Sequence, residues 1–492
     1  MRQNGHWRSA NSISVTGAAG LPSTFSFCGI PRKSAAVSEA PVIEVRSVLV
    51  AVPVALVPSA TGAVVVGDDA FSPRLPATLA TIRPTAIPTA AIPTAANSTA
   101  LFRKSPLTAC TVARRHDSRV AETMLALRKT AAEPGLRLEE IPVPEPAADE
   151  VLVEVETASV CGTDLHIYGW DEWSQGRIAP PLTLGHEFAG TVVERGELVR
   201  NVAVGDYVSA ESHITCGVCF QCRTGHAHMC ERTRILGVDR DGAFARFVAV
   251  PESVIWRNDR SKLPPEIATI QEPFGNAVFA TSEQDLAGRA VAVLGCGPIG
   301  LFTIGIARAS GAAVVMAADR TPFRLGLAGQ MGANAVVNVD ETPDTPEWFL
   351  DHNEGFGFDV VFEMSGSPRA IADSFRIARN GGRVILFGIP ARPVEIDVAE
   401  ALIFKNLNVL ALNGRKIFET WYRTRWLLES GVVDVRPLIT KELPLEEYET
   451  AFVLLAAGEA CKIVLYPGGR APEGQAERAR EAVPVEGRWQ HR

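Results

Sequence analysis

The sequence predicts an α/β chain in which a β-rich region is followed by a doubly wound parallel sheet, and three observations point there. From Met124 to Val250, short runs of alternating apolar and polar residues are separated by Pro, Gly and Asp turns, the layout of strands that pair across tight connections. The stretch Ala290 to Asp319, AVAVLGCGPIGLFTIGIARASGAAVVMAAD, reads as strand, glycine turn, helix and second strand. Beyond it, the apolar runs AVVNV, DVVFEMSG, RVILFGIP and LNVLALNG alternate with helical stretches, as a parallel sheet requires.

Taken in order, residues 1–123 differ from the rest. They are rich in Ala, Pro, Ser and Thr, as in RLPATLATIRPTAIPTAAIPTAANSTA from Arg74 to Ala100, and such text sustains neither a helix face nor strand alternation, so disorder is expected. The apolar stretch Val48 to Val66 is broken by Pro53 and Pro58, which argues against a membrane span. Residues 1–38 carry Arg, Lys and Ser but no acid, a targeting-like composition, yet a non-native or mis-started extension is the preferred reading. Basic residues outnumber acidic ones up to residue 122, whereas the chain as a whole has 48 Lys+Arg against 56 Asp+Glu. The body is therefore acidic, which argues against nucleic acid as a partner.

The runs LALRKT, LRLEEIPVP and EVLVEVETASV, then TVVERG, GDYVSAE and AFARFVAVP, are read as strands of one domain. Ile267 to Leu286 turns helical, and Lys416 to Tyr466 supplies helices and closing strands. The expected organisation is a catalytic domain over residues 124–278 and 416–467, a nucleotide-binding domain over 279–415, and a disordered tail over 468–492.

The glycine turn states its chemistry most clearly. Gly295, Gly297 and Gly300 follow the apolar run Val291 to Leu294 as G-x-G-x-x-G. The first glycine allows a tight turn, the second lets backbone N–H groups approach a pyrophosphate, and the third lets helix and strand pack closely. Asp319 ends the second strand, where its carboxylate accepts from a ribose diol and repels a 2′-phosphate, so NAD is favoured over NADP.

Four of the nine cysteines lie in one loop, Cys216-x-x-Cys219-x-x-Cys222-x7-Cys230. Four thiolates at this spacing suit a closed, structural zinc site. The odd cysteine count argues against a disulfide framework and for a reducing compartment, hence a cytoplasmic protein. Cys161, with the adjacent pair His186 and Glu187, offers one thiolate, one imidazole and one carboxylate. Three ligands leave a position open for Lewis-acid activation of a hydroxyl. By spacing alone, a buried apolar Cys161 and a turn histidine at 186 fit equally well.

Cys161-Gly162-Thr163-Asp164, Gly185-His186-Glu187, the four-cysteine lobe and the glycine turn occur in the order that resembles the zinc-containing medium-chain alcohol dehydrogenases, over Met124 to about Pro467. Four longer stretches, CGTDLHIYGWDEWSQ, ESHITCG, EPFGNAV and GRKIFETWY, are similar to the threonine-oxidising branch of that family. The resemblance implies a GroES-like catalytic domain joined to a Rossmann domain, two zinc ions per subunit, and a homotetramer built through the zinc lobe and the Rossmann sheet edge. It also implies oxidation of a small molecule, L-threonine, by NAD.

Residue by residue, the resemblance makes Cys161, His186 and Glu187 ligands of the catalytic zinc. It sets Glu272 beside the metal, exchanging with Glu187 as ligand or assisting the proton relay. Thr163 and His166 become that relay. Ile299, Asp319 and Arg324 are implied NAD contacts, with Phe387, Gly388, Ile389, Leu412 and Asn413 along the nicotinamide half. Asn413 stands where a tyrosine is common, and Phe387 replaces an aliphatic residue. Charge complementarity adds Asp171, Glu172 and Glu272 as partners for the substrate ammonium, and His213 or Arg415 for its carboxylate. Trp170 and Trp173 are candidate walls of the site. Two other readings stand beside this one: a zinc-dependent polyol or 2,3-butanediol dehydrogenase sharing every metal and nucleotide residue, and a non-enzymatic zinc-binding module that needs only the cysteine lobe.

Overall fold

The structure, a computed structural model, describes residues 122–469. The expectations for residues 1–121 and 470–492 lie outside the described residues. The first strand, Thr123–Lys129, pairs antiparallel with Arg137–Pro142.

The β-rich region is built on the long strand Glu150–Ser159, which pairs antiparallel with Phe188–Arg195 on one side and with Phe247–Pro251 and Lys462–Tyr466 as well. Tyr207–Ala210 and Ile255–Arg257 extend the sheet at one end and Ile439–Pro444 at the other. The last two strands among the described residues therefore return to the sheet begun by Glu150–Ser159. Val151, Val153 and Val155 alternate into a core with Leu184, Phe188, Phe244, Phe452 and Ile463, as the two-residue period of a strand dictates.

The second sheet has six parallel strands: β1 (Ala290–Leu294), β2 (Val314–Asp319), β3 (Ala335–Asn338), β4 (Phe358–Glu363), β5 (Ala378–Leu386) and β6 (Asn408–Ala411). Their spatial order is β3-β2-β1-β4-β5-β6, the doubly wound arrangement that the sequence predicts. Both faces are covered. Along β1, Val291 and Val293 enter one core with Leu301, Phe302 and Val360, and Ala292 and Leu294 enter the other with Phe349, Phe375 and Val384. The order reverses between β1 and β4, and a ligand crevice opens outside the carboxyl ends of strands at such a point.

Two helices tie the sheets together. Gln271–Ser282 buries Phe274, Ala277 and Val278 against Leu301 and Phe302 of the helix Pro298–Ala309. Glu419–Glu429 places Leu428 in that same core while Trp421 donates from Nε1 to Glu211 of the β-rich region. No helix among the described residues is long and apolar enough to cross a membrane.

Candidate active site

The strand pairing itself assembles the metal donors. In the ladder between Glu150–Ser159 and Phe188–Arg195, Ala158 lies opposite Phe188, and Ser159 N donates to Glu187 O at 3.0 Å. Cys161, just past the end of one strand, is therefore set beside His186 and Glu187, just before the start of the other. Donor atoms of Cys161, His186 and Glu187 all fall within 4.8 Å of one another. Gly185 is required at this turn: its φ is +92°, and a Cβ there would stand 2.4 Å from the Phe244 ring.

The surroundings fit a cation. Oε2 of Glu187 accepts from Ser159 Oγ and from the buried ammonium of Lys462, whereas Oε1 is buried with no partner. Nδ1 of His186 and Oδ1 of Asp164 are also buried and without hydrogen bonds, 3.8 Å apart. Orphaned lone pairs of this kind are costly unless something satisfies them. Burial alone disfavours charge on His186, yet Cys161 and Asp164 hold its proton affinity well above that of an ordinary imidazole, so the local field draws positive charge. Lys462 escaped the sequence reading, although a lysine opening the apolar run CKIVLY was a signal that it meets a buried acid.

Glu272 stands in the first turn of the helix Gln271–Ser282 but is not part of that three-donor cluster. Its Oε1 accepts from Ser212 Oγ at 2.6 Å and pairs with Arg415 Nη2 at 2.7 Å. Arg415 is buried and also gripped by both oxygens of Glu211, through Nε at 2.8 Å and through Nη2. Glu211 additionally accepts from Trp421 Nε1 at 2.8 Å. This corrects one expectation: Arg415 is not available for a substrate carboxylate, because two buried carboxylates already neutralise it. His213 keeps the role open. Its Nδ1 faces Glu211 at 2.9 Å and Arg415 at 3.2 Å, and its half-buried ring leaves Nε2 without a partner among the described residues.

On the helix Gly162–Gly169, the hydroxyl of Thr163 lies 3.9 Å from Cys161 Sγ, and His166 follows one turn later at the surface. Asp171 is not free for an ammonium either. Its Oδ1 accepts from Ser174 N at 2.9 Å, capping the helix Glu172–Arg177, and its Oδ2 lies 2.5 Å from His166 Nδ1. Glu172 and Trp173 are exposed, and Trp170 packs on the ammonium of Lys129 at 4.7 Å.

The four lobe cysteines form a second cluster with all four donors within 4.8 Å. Backbone N–H groups of Cys216 and Arg232 point at Cys230 Sγ, each at 3.4 Å, and Cys219 N points at Cys216 Sγ at 3.4 Å. Such donors stabilise thiolates, and hydrogen bonds from the backbone, led by that of Val218, lower Cys216 to about 6.

At the switch point, Gly295 follows β1 with φ +100°, and a Cβ on Gly300 would stand 2.0 Å from Gly295 O, so the third glycine does allow the close approach that the motif requires. Asp319 ends β2 and accepts from Cys296 N at 2.7 Å and Thr321 N at 2.9 Å. A cavity of about 630 Å³ is lined by Gly295, Asp319, Arg324, Ser365 and Arg369. Phe387, Gly388 and Ile389 follow β5, and Leu412 and Asn413 follow β6, all at the same carboxyl edge. Glu363, which the sequence reading did not single out, ends β4 buried and accepts from Ser365 N at 2.9 Å and Gly366 N at 3.1 Å. A Cβ on Gly388 would stand 2.6 Å from its Oε2.

Comparison with known proteins agrees with this arrangement. The family model described as alcohol dehydrogenase GroES-like domain matches residues 147–260, and the one described as zinc-binding dehydrogenase matches residues 298–429. An L-threonine 3-dehydrogenase of Symbiobacterium thermophilum is 49% identical over 71% of this chain and 99% of its own length, and one of Bacillus subtilis is 46% identical over 70% and 99%. Among solved structures, 2R,3R-butanediol dehydrogenase of Bacillus subtilis is 28% identical with a TM-score of 0.63, and an alcohol dehydrogenase of Escherichia coli complexed with NADH is 27% identical with a TM-score of 0.64. Each covers 70% of this chain and 100% of its own. A nicotinamide dinucleotide and zinc are thus the cofactors in keeping with its fold and relatives. With donors, glycine turn and lobe all in register, the chain belongs to the zinc-binding alcohol dehydrogenase family, in its L-threonine 3-dehydrogenase branch.

Proposed function

We propose that the chain oxidises the β-hydroxyl of L-threonine with NAD, giving L-2-amino-3-oxobutanoate, NADH and a proton, as a step of threonine catabolism. The observation that carries the substrate is the meeting of three distant stretches at one point. Glu211 and Ser212 of ESHITCG, Glu272 of EPFGNAV, and Arg415 and Trp421 of GRKIFETWY form one buried ion network. Of these stretches, FETWY, which carries Trp421, is one of the two that discriminate against polyol and butanediol enzymes; the other is GWDEWSQ.

Cys161, His186 and Glu187 would hold one zinc, which when bound supplies Lewis acidity to the substrate hydroxyl, and the four lobe cysteines would hold a second, structural one. NAD, when bound, supplies the hydride acceptor; Asp319 and Arg324 would hold its adenosine end, with Phe387 to Ile389, Leu412 and Asn413 beside the nicotinamide. The chain's own groups manage charge and protons. Thr163, beside Cys161, receives the hydroxyl proton, and His166 passes it to solvent. His213, in its doubly protonated form donating from Nδ1 to Glu211, would donate from Nε2 to the substrate carboxylate. With Asp171 committed to Ser174 and His166 and Glu172 exposed, Glu272 is the acid proposed for the ammonium, buried and close enough to act electrostatically on His186.

A cytoplasmic setting is supported by the cysteines, all of which are free among the described residues. A homotetramer is supported by β6, which pairs on one side only among the described residues, and by Val218 and Phe220 exposed on the lobe. Product identity tests the reaction. The β-keto acid loses carbon dioxide to aminoacetone, so trapping and mass spectrometry should recover these two amines in proportion to NADH formed; NADH formation with neither amine would reject the reaction.

A further inference from the structure

We infer that Asp171 is a positioning residue for His166, fixing the imidazole with its proton on Nδ1 so that Nε2 is the nitrogen that takes up the proton leaving the site. The inference rests on His166 being the exit of the proposed relay.

The local chain explains the pair. Trp170 ends the helix Gly162–Gly169 in a left-handed conformation, φ 55°, and its N–H returns to the carbonyls of His166 and Ile167. That reversal brings Asp171 back over the last turn of the helix it has just left. The Asp171 carboxylate is then divided between two tasks. Oδ1 accepts from Ser174 N at 2.9 Å and from the hydroxyl of the buried Ser174 at 3.0 Å, and Oδ2 is left to meet His166 Nδ1 at 2.5 Å. A carboxylate held by a helix cap cannot rotate away. Gln175 Nε2 braces the turn by donating to Trp170 O at 2.9 Å.

A carboxylate accepts but does not donate, so the proton of the neutral imidazole sits on Nδ1. Nε2, which has no partner among the described residues, is left basic. The Trp173 ring meets the imidazole edge-on at 6.3 Å, and Asp171 is the ionic partner of His166 among the described residues. When a proton arrives, Asp171 stabilises the imidazolium, and release to water restores the starting tautomer. This is the division of labour of an oriented acid–base histidine, achieved here at an exposed site and so with a modest electrostatic share.

The test uses the full-length, zinc-loaded protein and Asp171→Asn, which keeps the helix cap because Asn caps as well as Asp. Histidine-selective ¹⁵N labelling, with His166 assigned from His166→Gln, reads the tautomer. The pH profile of kcat with L-threonine and NAD reads the base. The expected result is Nδ1–H in the native protein, an increased share of Nε2–H in Asp171→Asn with the acid limb altered from the native one, and that limb absent from His166→Gln. If Asp171→Asn leaves tautomer and limb unchanged while His166→Gln removes the limb, the positioning role is overturned and the relay stands. If His166→Gln keeps the native limb, the relay itself is wrong and the inference falls with it.

Discussion

Arg415 Nη2 and Glu272 Oε1 lie 2.7 Å apart at the heart of the site, and Glu211 grips the same guanidinium from the other side. One buried cation thus holds two carboxylates from distant stretches, Glu211 of the β-rich region and Glu272 of the helix Gln271–Ser282, and the geometry of Glu272 depends on it.

Burial opposes ionisation of Glu211, but Arg415 overrides it and, with help from His213 and Trp421, holds the carboxyl at about 2, against an ordinary value of 4.5. Between those values the unfolded chain takes up a proton that the folded one refuses. The stabilisation is therefore complete above about pH 4.5 and is lost as pH falls towards 2. Glu211→Gln should flatten the dependence of the melting temperature on pH across that window. Arg415→Met, which strands both acids, should cost about 3–5 kcal/mol in urea denaturation at neutral pH. Parallel melting curves for native protein and Glu211→Gln over that range would contradict the assignment.

The proposed preference for NAD over NADP rests on Asp319. Removing its carboxylate in Asp319→Ala loses charged hydrogen bonds worth roughly 1.5–3 kcal/mol, or about one to two orders of magnitude in kcat/KM for NAD, and lifts repulsion of a 2′-phosphate. The ratio of kcat/KM for NAD to that for NADP should fall accordingly in steady-state assays.

The two donor clusters predict separable zinc sites. Metal analysis should find that Cys219→Ser loses one zinc equivalent per chain and melts at lower temperature, since a closed thiolate site contributes to folding. Cys161→Ser should lose the other equivalent and the activity with less effect on melting.

What the sequence disclosed depended on how local the signal was. The glycine turn and the four lobe cysteines each lie within fifteen residues, and their spacing alone carries their chemistry. The parallel sheet was readable because β1 and β2 are buried on both faces and so read as near-continuous apolar runs. Arg415, by contrast, looked like an anion site, because its partners Glu211 and Glu272 lie 204 and 143 positions away and nothing local announces them. Asp171 likewise read as a free acid until the left-handed turn at Trp170 set it against His166. Ser159 and Lys462, which fix one oxygen of Glu187, reach it only once their strands pair, although the lysine in CKIVLY hinted at a buried acid.

The most direct measurement is NADH formation by the full-length protein with L-threonine, 2,3-butanediol and sorbitol as alternative substrates at slightly alkaline pH. Nε2 of His213, without a partner among the described residues, predicts kcat/KM for L-threonine at least roughly two orders of magnitude above either alternative, because a polar group built for a substrate rejects analogues that leave it unpaired. Equal or greater turnover of the diol or the polyol would contradict the threonine assignment while leaving the fold and the donor clusters as they stand.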